Sequence, residues 1–105
     1  MADITVKELK ERLDKGEHLH ILDVREPDEY ARGHITPLLV PVGSLMARLD
    51  ALENYKEQEL IVHCRSGKRS AAAVEVLKQS GFSNPRNLVG GMLAWKDEVD
   101  PNFVV

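Results

Sequence analysis

This sequence has very little cysteine and no long apolar run. Its 105 residues include one cysteine, Cys64, and aromatic residues make up only 5% of the chain. A single cysteine cannot form a disulfide within the chain, which fits a reducing compartment. No apolar run approaches the length of a membrane span, and residues 1–8 lack the basic and apolar regions of a signal peptide. We therefore expect a cytoplasmic protein.

The sequence also lacks a large excess of charge of either sign. It has 14 Lys and Arg against 17 Asp and Glu, which gives a formal net charge of -3, and 43% of its residues are hydrophobic. This balance gives no reason to expect nucleic acid or an anionic membrane as a partner. The length is sufficient for one domain with its own hydrophobic core. We predict a single domain over residues 1–105.

Strand-like and helix-like stretches alternate along the chain. Branched apolar residues predict strands at residues 19–24, 38–40, 60–63 and 87–89. Helical spacing and capping signals predict helices at residues 6–13, 26–32, 44–52, 69–80 and 92–99, followed by a loosely held tail at 102–105. This alternation predicts an α/β fold, with a mostly parallel sheet and helices on both of its faces.

Cys64 stands where a strand-like run changes abruptly into a polar loop and then a helix. The run Leu60-Ile61-Val62-His63 precedes it, and Arg65-Ser66-Gly67-Lys68-Arg69-Ser70 follows it. Amide groups of such a loop and of the first helical turn have no helical partner, so they can bind an anion. The helix dipole and the nearby cations also favour a thiolate. We therefore predict that Cys64 is a nucleophile with a pKa below that of a free thiol.

Three stretches together resemble the rhodanese-like domain family. They are Asp23-Val24-Arg25-Glu26 continuing to Gly33-His34-Ile35, the loop Cys64-Arg65-Ser66-Gly67-Lys68-Arg69-Ser70, and Gly90-Gly91-Met92-Leu93-Ala94-Trp95. The stretches occur in the order that the family shows. The sequence departs from the family after Ile35, where it reads Thr36-Pro37-Leu38-Leu39-Val40-Pro41, a residue shorter than the family pattern and without the glycine of the usual Pro-Gly-Ala turn.

The resemblance implies a central sheet of about five strands and a sulfurtransferase or sulfur-carrier activity. Cys64 would accept a sulfane sulfur from an anionic donor such as thiosulfate, form a persulfide, and pass the sulfur to cyanide or a thiol. No metal or organic cofactor is implied. A sulfur-relay protein is a further possible partner. The residues implied to surround the sulfur as the substrate-binding set are Arg65, Ser66, Gly67, Lys68 and Arg69.

Individual residues of these motifs also have ordinary structural interpretations. Arg69 either forms a surface ion pair or steers an anionic donor, and Lys68 is the better candidate for steering because lysine presents a mobile point charge. Asp23 and Arg25 are expected to hold the scaffold together. His63 is expected to be a hydrogen-bonded structural residue.

Two other functions are compatible with parts of the sequence. A cysteine-dependent phosphatase uses a Cys-x5-Arg signature, but the residue six positions after Cys64 is Ser70. Arginine matters at that position because its guanidinium group clamps phosphate oxygens. A rhodanese-like domain can also serve as a protein-interaction module without catalysis, although the cysteine retained here disfavours that function.

Overall fold

The centre of the fold is a parallel sheet of four strands in a computed structural model that describes residues 3–105. The strands are β1 (Asp3–Ile4), β2 (Ile21–Asp23), β3 (Glu59–His63) and β4 (Asn84–Leu88), and they lie in the order β1-β4-β3-β2. The helices are α1 (Val6–Asp14), α2 (Pro27–Arg32), α3 (Lys68–Gln79) and α4 (Gly91–Glu98). Two 3-10 helices cover Val42–Ser44 and Met46–Tyr55. The predicted α/β class with a parallel sheet is confirmed.

The strand predicted at residues 38–40 is reduced to a single bridge beside β2. Leu39 pairs with Asp23, whose amide donates to the Leu38 carbonyl and whose carbonyl accepts from the Val40 amide, both at 3.0 Å. Prolines at positions 37 and 41 have no N–H and cannot extend the ladder on either side. The sheet therefore has four strands among the described residues, against the five or so that were expected.

Two apolar clusters cover the two faces of the sheet, so helices lie on both sides. Leu22 and Val62 face α3 and form one cluster with Ala73, Val74 and Leu77 of that helix. The alternate strand residues Ile21 and Ile61 belong to the second cluster, which includes Leu9 of α1, Met92 and Trp95 of α4, and Phe103. This is the period-2 alternation that a strand with two covered faces requires. None of the helices described over residues 3–105 is long and apolar enough to cross a membrane.

Local details correct two of the sequence predictions. The helix expected at residues 44–52 is a 3-10 helix at Met46–Tyr55, interrupted at Arg48, where φ is -116° and ψ is 15°. Its expected apolar face is partly retained, since Leu52 is fully buried. The tail expected to be loose is held by Phe103, which is buried in the second cluster and whose carbonyl accepts from Lys96 Nζ at 2.8 Å.

Three polar side chains are fully buried at the carboxyl ends of β2 and β3. Arg25 makes two-pronged hydrogen bonds to Asp23 at 2.9–3.1 Å and donates to the Gly33 carbonyl at 2.7 Å, so these residues hold the scaffold as expected. His63 Nε2 lies 3.7 Å from Asp23 Oδ2, too far for a hydrogen bond. Neither ring nitrogen of His63 has a hydrogen-bond partner within residues 3–105, so the expectation of a hydrogen-bonded His63 is wrong.

Burial of His63 makes folding sensitive to mild acid. Burial lowers its pKa to about 4, against the opposing effect of Asp23, whereas an unfolded histidine titrates near 6.5. Between these values the unfolded chain binds a proton that the folded chain does not, so stability falls as the pH falls. We predict that the free energy of unfolding decreases by about 3 kcal/mol between pH 7 and pH 4 through this group. Denaturant titrations across that range measure the loss.

The variant His63→Phe tests the assignment, and His34→Gln, at an exposed position, is its matched control. His63→Phe should flatten the pH dependence between 6.5 and 4.5, whatever its effect on stability at pH 7. Glu29 and Glu59, whose pKa values are lowered to about 2 by hydrogen bonds from arginines, contribute only below that window. If the free energy of unfolding of His63→Phe depends on pH as steeply as that of the unmodified protein, the role given to His63 is contradicted.

Candidate active site

The sulfur of Cys64 lies inside a ring of hydrogen-bond donors between β3 and α3. Cys64 directly follows the last residue of β3, and α3 begins four residues later at Lys68. The amide of Gly67 donates to Sγ at 3.1 Å and the amide of Ser70 at 3.4 Å, while the Ser70 hydroxyl lies 3.3 Å from Sγ. The loop and the first turn of α3 therefore point their free N–H groups at one atom, as predicted.

These hydrogen bonds favour the thiolate form of Cys64. Burial alone raises the pKa of the thiol, but the contact with the Ser70 hydroxyl and the hydrogen bonds from the amides of Ser70, Gly67 and Ser66 outweigh it. The pKa of Cys64 is therefore below its usual value, which confirms the direction predicted from the sequence. Hydrogen bonds to the sulfur, rather than the cationic side chains emphasised by the sequence, supply the main lowering effects.

Glycines allow the loop to close around the sulfur. Gly67 has a φ of +100°, a left-handed conformation that a residue with a Cβ rarely adopts. Gly91, the first residue of α4, lies so close that a Cβ there would collide with the Cys64 carbonyl oxygen. The next two amides, from Met92 and Leu93, donate to the carbonyls of Cys64 and Arg65 at 3.0 Å. The third family motif, residues 90–95, thus fixes the backbone of the Cys64 loop through these two hydrogen bonds.

The predicted substrate-binding residues divide into three groups. Arg65, Ser66 and Lys68 are exposed, and neither Arg65 nor Lys68 forms an ion pair within residues 3–105. Gly67 is buried and contributes its amide. The third group is Arg69 alone.

Arg69 forms an ion pair with a carboxylate of α2. Its two terminal nitrogens donate to the two carboxylate oxygens of Glu29 at 2.7 and 2.8 Å. The Arg69 guanidinium lowers the pKa of Glu29 to about 2. Of the two roles considered for Arg69, the ion pair is the one present in the structure, and it ties α2 to the start of α3.

Two residues at the site are not predicted from the sequence. Ser70 belongs to the second family motif, and both its hydroxyl and its amide contact the sulfur. Asn87 lies on β4, where its Oδ1 accepts from the Ser70 hydroxyl at 2.6 Å and its Nδ2 donates to the Gly67 carbonyl at 3.3 Å. Its only sequence signal was a polar side chain near the carboxyl end of a strand, where α/β sites occur.

The segment that departs from the family begins beside the start of β2. The Thr36 hydroxyl donates to the Ile21 carbonyl at 2.6 Å, at the first residue of β2. Thr36, Pro37 and Leu38 line a cavity of about 240 Å³ together with His20 and Tyr55. Cys64, by contrast, follows the opposite, carboxyl end of the neighbouring strand. Leu38, further along the segment, packs against the apolar cluster that contains Cys64.

Replacing the Ser70 hydroxyl should weaken the thiolate. We predict that Ser70→Ala raises the pKa of Cys64 by about one unit, because a hydrogen bond to a charged group is lost. The pH dependence of alkylation by iodoacetamide measures this pKa. Ser66→Ala is the matched control, because its exposed side chain is removed while the amide near the sulfur is kept. Equal pKa values in the two variants would contradict the geometry described for Ser70.

Comparison with known proteins places this architecture in a family. The family model described as the rhodanese-like domain matches residues 5–98. The maize adenylyltransferase and sulfurtransferase MOCS3-2 is 39% identical over 110 residues, which cover 99% of this chain but 23% of that protein. The chain thus spans about a quarter of that relative.

Solved structures of similar length share the fold. A rhodanese-like domain protein from Staphylococcus aureus superposes with a TM-score of 0.80 at 37% identity, covering 94% of this chain and 95% of that one. The human single-domain sulfurtransferase TSTD1 superposes with a TM-score of 0.77 at 27% identity, covering 93% and 97%. The fold, the Cys64 loop and the family match over most of the chain agree: this chain belongs to the rhodanese-like domain family.

Proposed function

We propose that this protein is a sulfurtransferase or sulfur carrier in which Cys64 accepts a sulfane sulfur as a persulfide. The observation that carries this proposal is the convergence of the Gly67 and Ser70 amides on Sγ, with the Ser70 hydroxyl oxygen 3.3 Å away. Such a ring of donors can stabilise a thiolate before transfer and an anionic terminal sulfur after it. Membership of the family supports it, since MOCS3-2 and TSTD1 are named as sulfurtransferases.

The transfer requires only the thiolate and two small molecules. The Cys64 thiolate attacks the outer sulfur of thiosulfate, a sulfur–sulfur bond forms, and the original sulfur–sulfur bond breaks with its electron pair leaving on sulfite. In the second step cyanide or a thiolate attacks the outer sulfur, and the electron pair of the breaking bond returns to Cys64. The thiolate is regenerated, so the cycle needs no external oxidant or reductant.

Two exposed cations suit an anionic donor. Arg65 and Lys68 flank the loop and have no carboxylate partner within residues 3–105, whereas Arg69 is neutralised by Glu29. We assign the steering of thiosulfate to Lys68 and Arg65, and a supporting role to Arg69. Steering by exposed charges weakens as salt is added. A reducing compartment such as the cytoplasm would keep the single thiol available.

A phosphatase activity is less compatible with the site. The position of the phosphate-clamping arginine is occupied by the buried Ser70, whose hydroxyl lies against Sγ. Arg69, one residue earlier, already uses both terminal nitrogens on Glu29. At the clamping position and the one before it, the described residues therefore offer no unpaired guanidinium for the oxygens of a phosphoryl group.

The first experiment is to measure whether Cys64 takes up sulfur. After incubation with thiosulfate and removal of small molecules, intact mass should increase by one sulfur atom, and peptide mapping should place the addition on Cys64. Cys64→Ser, with an oxygen in place of the sulfur, is the matched control and should gain nothing. Failure to gain sulfur from thiosulfate would reject this donor, and failure with persulfide donors as well would reject the proposed function.

The second experiment tests the role of Lys68. We predict that Lys68→Ala raises the KM for thiosulfate roughly five-fold with little change in kcat, because a steering charge acts on encounter. The difference from the unmodified protein should shrink at high salt. Lys78→Ala removes the same charge from the last turn of the same helix and should leave KM unchanged. A similar KM for the two variants would contradict local steering.

A further inference from the structure

Asn87 contacts the Cys64 loop through both ends of its side-chain amide. Its Nδ2 donates to the Gly67 carbonyl at 3.3 Å, and its Oδ1 lies 2.6 Å from the Ser70 hydroxyl oxygen. A carbonyl oxygen can only accept, so the Gly67 carbonyl requires the nitrogen of the amide on its side. The amide oxygen of Asn87 must therefore face Ser70.

This orientation creates a competition for one hydrogen. Ser70 has a single hydroxyl hydrogen, and Asn87 Oδ1 can only accept, so the 2.6 Å contact requires Ser70 to donate it. Ser70 Oγ also lies 3.3 Å from Cys64 Sγ. While the hydrogen points at Asn87, Ser70 offers only lone pairs to the sulfur. That arrangement suits a thiol, whose S–H can donate to Ser70, and it does not suit a thiolate.

We propose that Asn87 is a positioning residue that holds the Ser70 hydrogen away from Cys64 and so disfavours the thiolate relative to the thiol and the persulfide. The part concerning the persulfide rests on the proposed function. In a persulfide the charge is on the outer sulfur, and Sγ no longer needs the Ser70 hydrogen. Only the thiolate must draw that hydrogen away from Asn87. Ser70 Oγ and Asn87 Oδ1 then face each other with no hydrogen between them.

The consequence is control over sulfur release. Release regenerates the Cys64 thiolate, because the electron pair of the sulfur–sulfur bond returns to Sγ as the acceptor takes the outer sulfur. A thiol with a higher pKa is a poorer leaving group in such an exchange. Asn87 therefore makes the persulfide hold its sulfur until a strongly nucleophilic acceptor attacks. The same residue opposes the amide donors of the loop, which favour the thiolate.

The charged and titratable groups around Cys64 are unchanged in all the variants that test the proposal. They are the exposed Arg65 and Lys68, Arg69 on α3 with Glu29 on α2, and the buried group at the ends of β2 and β3, namely Asp23, Arg25 and His63. Changes in the pKa of Cys64 between variants of neutral residues therefore report the hydrogen-bond chain from Asn87 through Ser70.

A double-mutant cycle tests the proposal without any sulfur donor. The pKa of Cys64 is measured by iodoacetamide alkylation in the unmodified protein, Asn87→Leu, Ser70→Ala and the combined variant. Leucine is close to asparagine in size but cannot accept from Ser70. We expect Asn87→Leu to lower the pKa by about one unit when Ser70 is present, and to leave it unchanged when Ser70 is alanine.

Three results would overturn the proposal. The pKa in Asn87→Leu could stay constant, could rise, or could shift by the same amount with and without the Ser70 hydroxyl. The last of these would mean that Asn87 acts only by supporting Gly67. Circular dichroism checks folding, and Asn87→Ala removes the same two hydrogen bonds if leucine does not fit.

A second measurement concerns the bound sulfur. Persulfidated Asn87→Leu should lose sulfur to cyanide several-fold faster than the unmodified protein, because its leaving thiolate is better stabilised. An unchanged release rate alongside a lowered pKa would overturn the part concerning sulfur. A protein that never takes up sulfur would reject the proposed function, whereas the alkylation cycle would still decide the role of Asn87.

Discussion

The convergence of amide N–H groups on one buried sulfur is the constraint on which the rest of this structure depends. Cys64 is 1% exposed, and a buried thiolate is costly unless donors compensate for the lost water. Donation from Gly67 and Ser70 requires the loop to turn sharply between β3 and α3. The left-handed Gly67 makes that turn accessible. Stabilisation of a thiolate at Cys64 therefore depends first on the geometry of the backbone and only then on side chains.

The parallel sheet supplies the support for this turn. The carboxyl ends of β3 and β4 lie side by side, so the loop after one strand meets the residues at the end of the next. Asn87 on β4 contacts the loop through its side chain, and Gly91 allows the start of α4 to approach the Cys64 carbonyl. Motifs far apart in sequence thus act on one loop because the strands that carry them are neighbours.

The charges at the carboxyl ends of the strands serve separate purposes. Asp23 and Arg25 form a buried ion pair, and removing either side chain would leave the charge of the other uncompensated. Arg69 joins α2 to α3 through Glu29, and Lys68 is left exposed beside the loop. From the sequence these residues could be ranked only by type and position. Which cation is neutralised depends on where α2 lies, and no local pattern encodes that.

The sequence by itself determined the α/β class, the alternation that covers both faces of the sheet, and the direction in which the pKa of Cys64 is shifted. Periodicity, capping signals and residue chemistry are local properties, so these conclusions needed no tertiary information. Only the tertiary structure decided that the strand predicted at residues 38–40 is a single bridge, that Phe103 is packed, and that the Ser70 hydroxyl donates to Asn87. Those outcomes depend on contacts between residues far apart in the chain, and a hydrogen bond such as that from Ser70 to Asn87 exists only after the sheet has brought its partners within 2.6 Å.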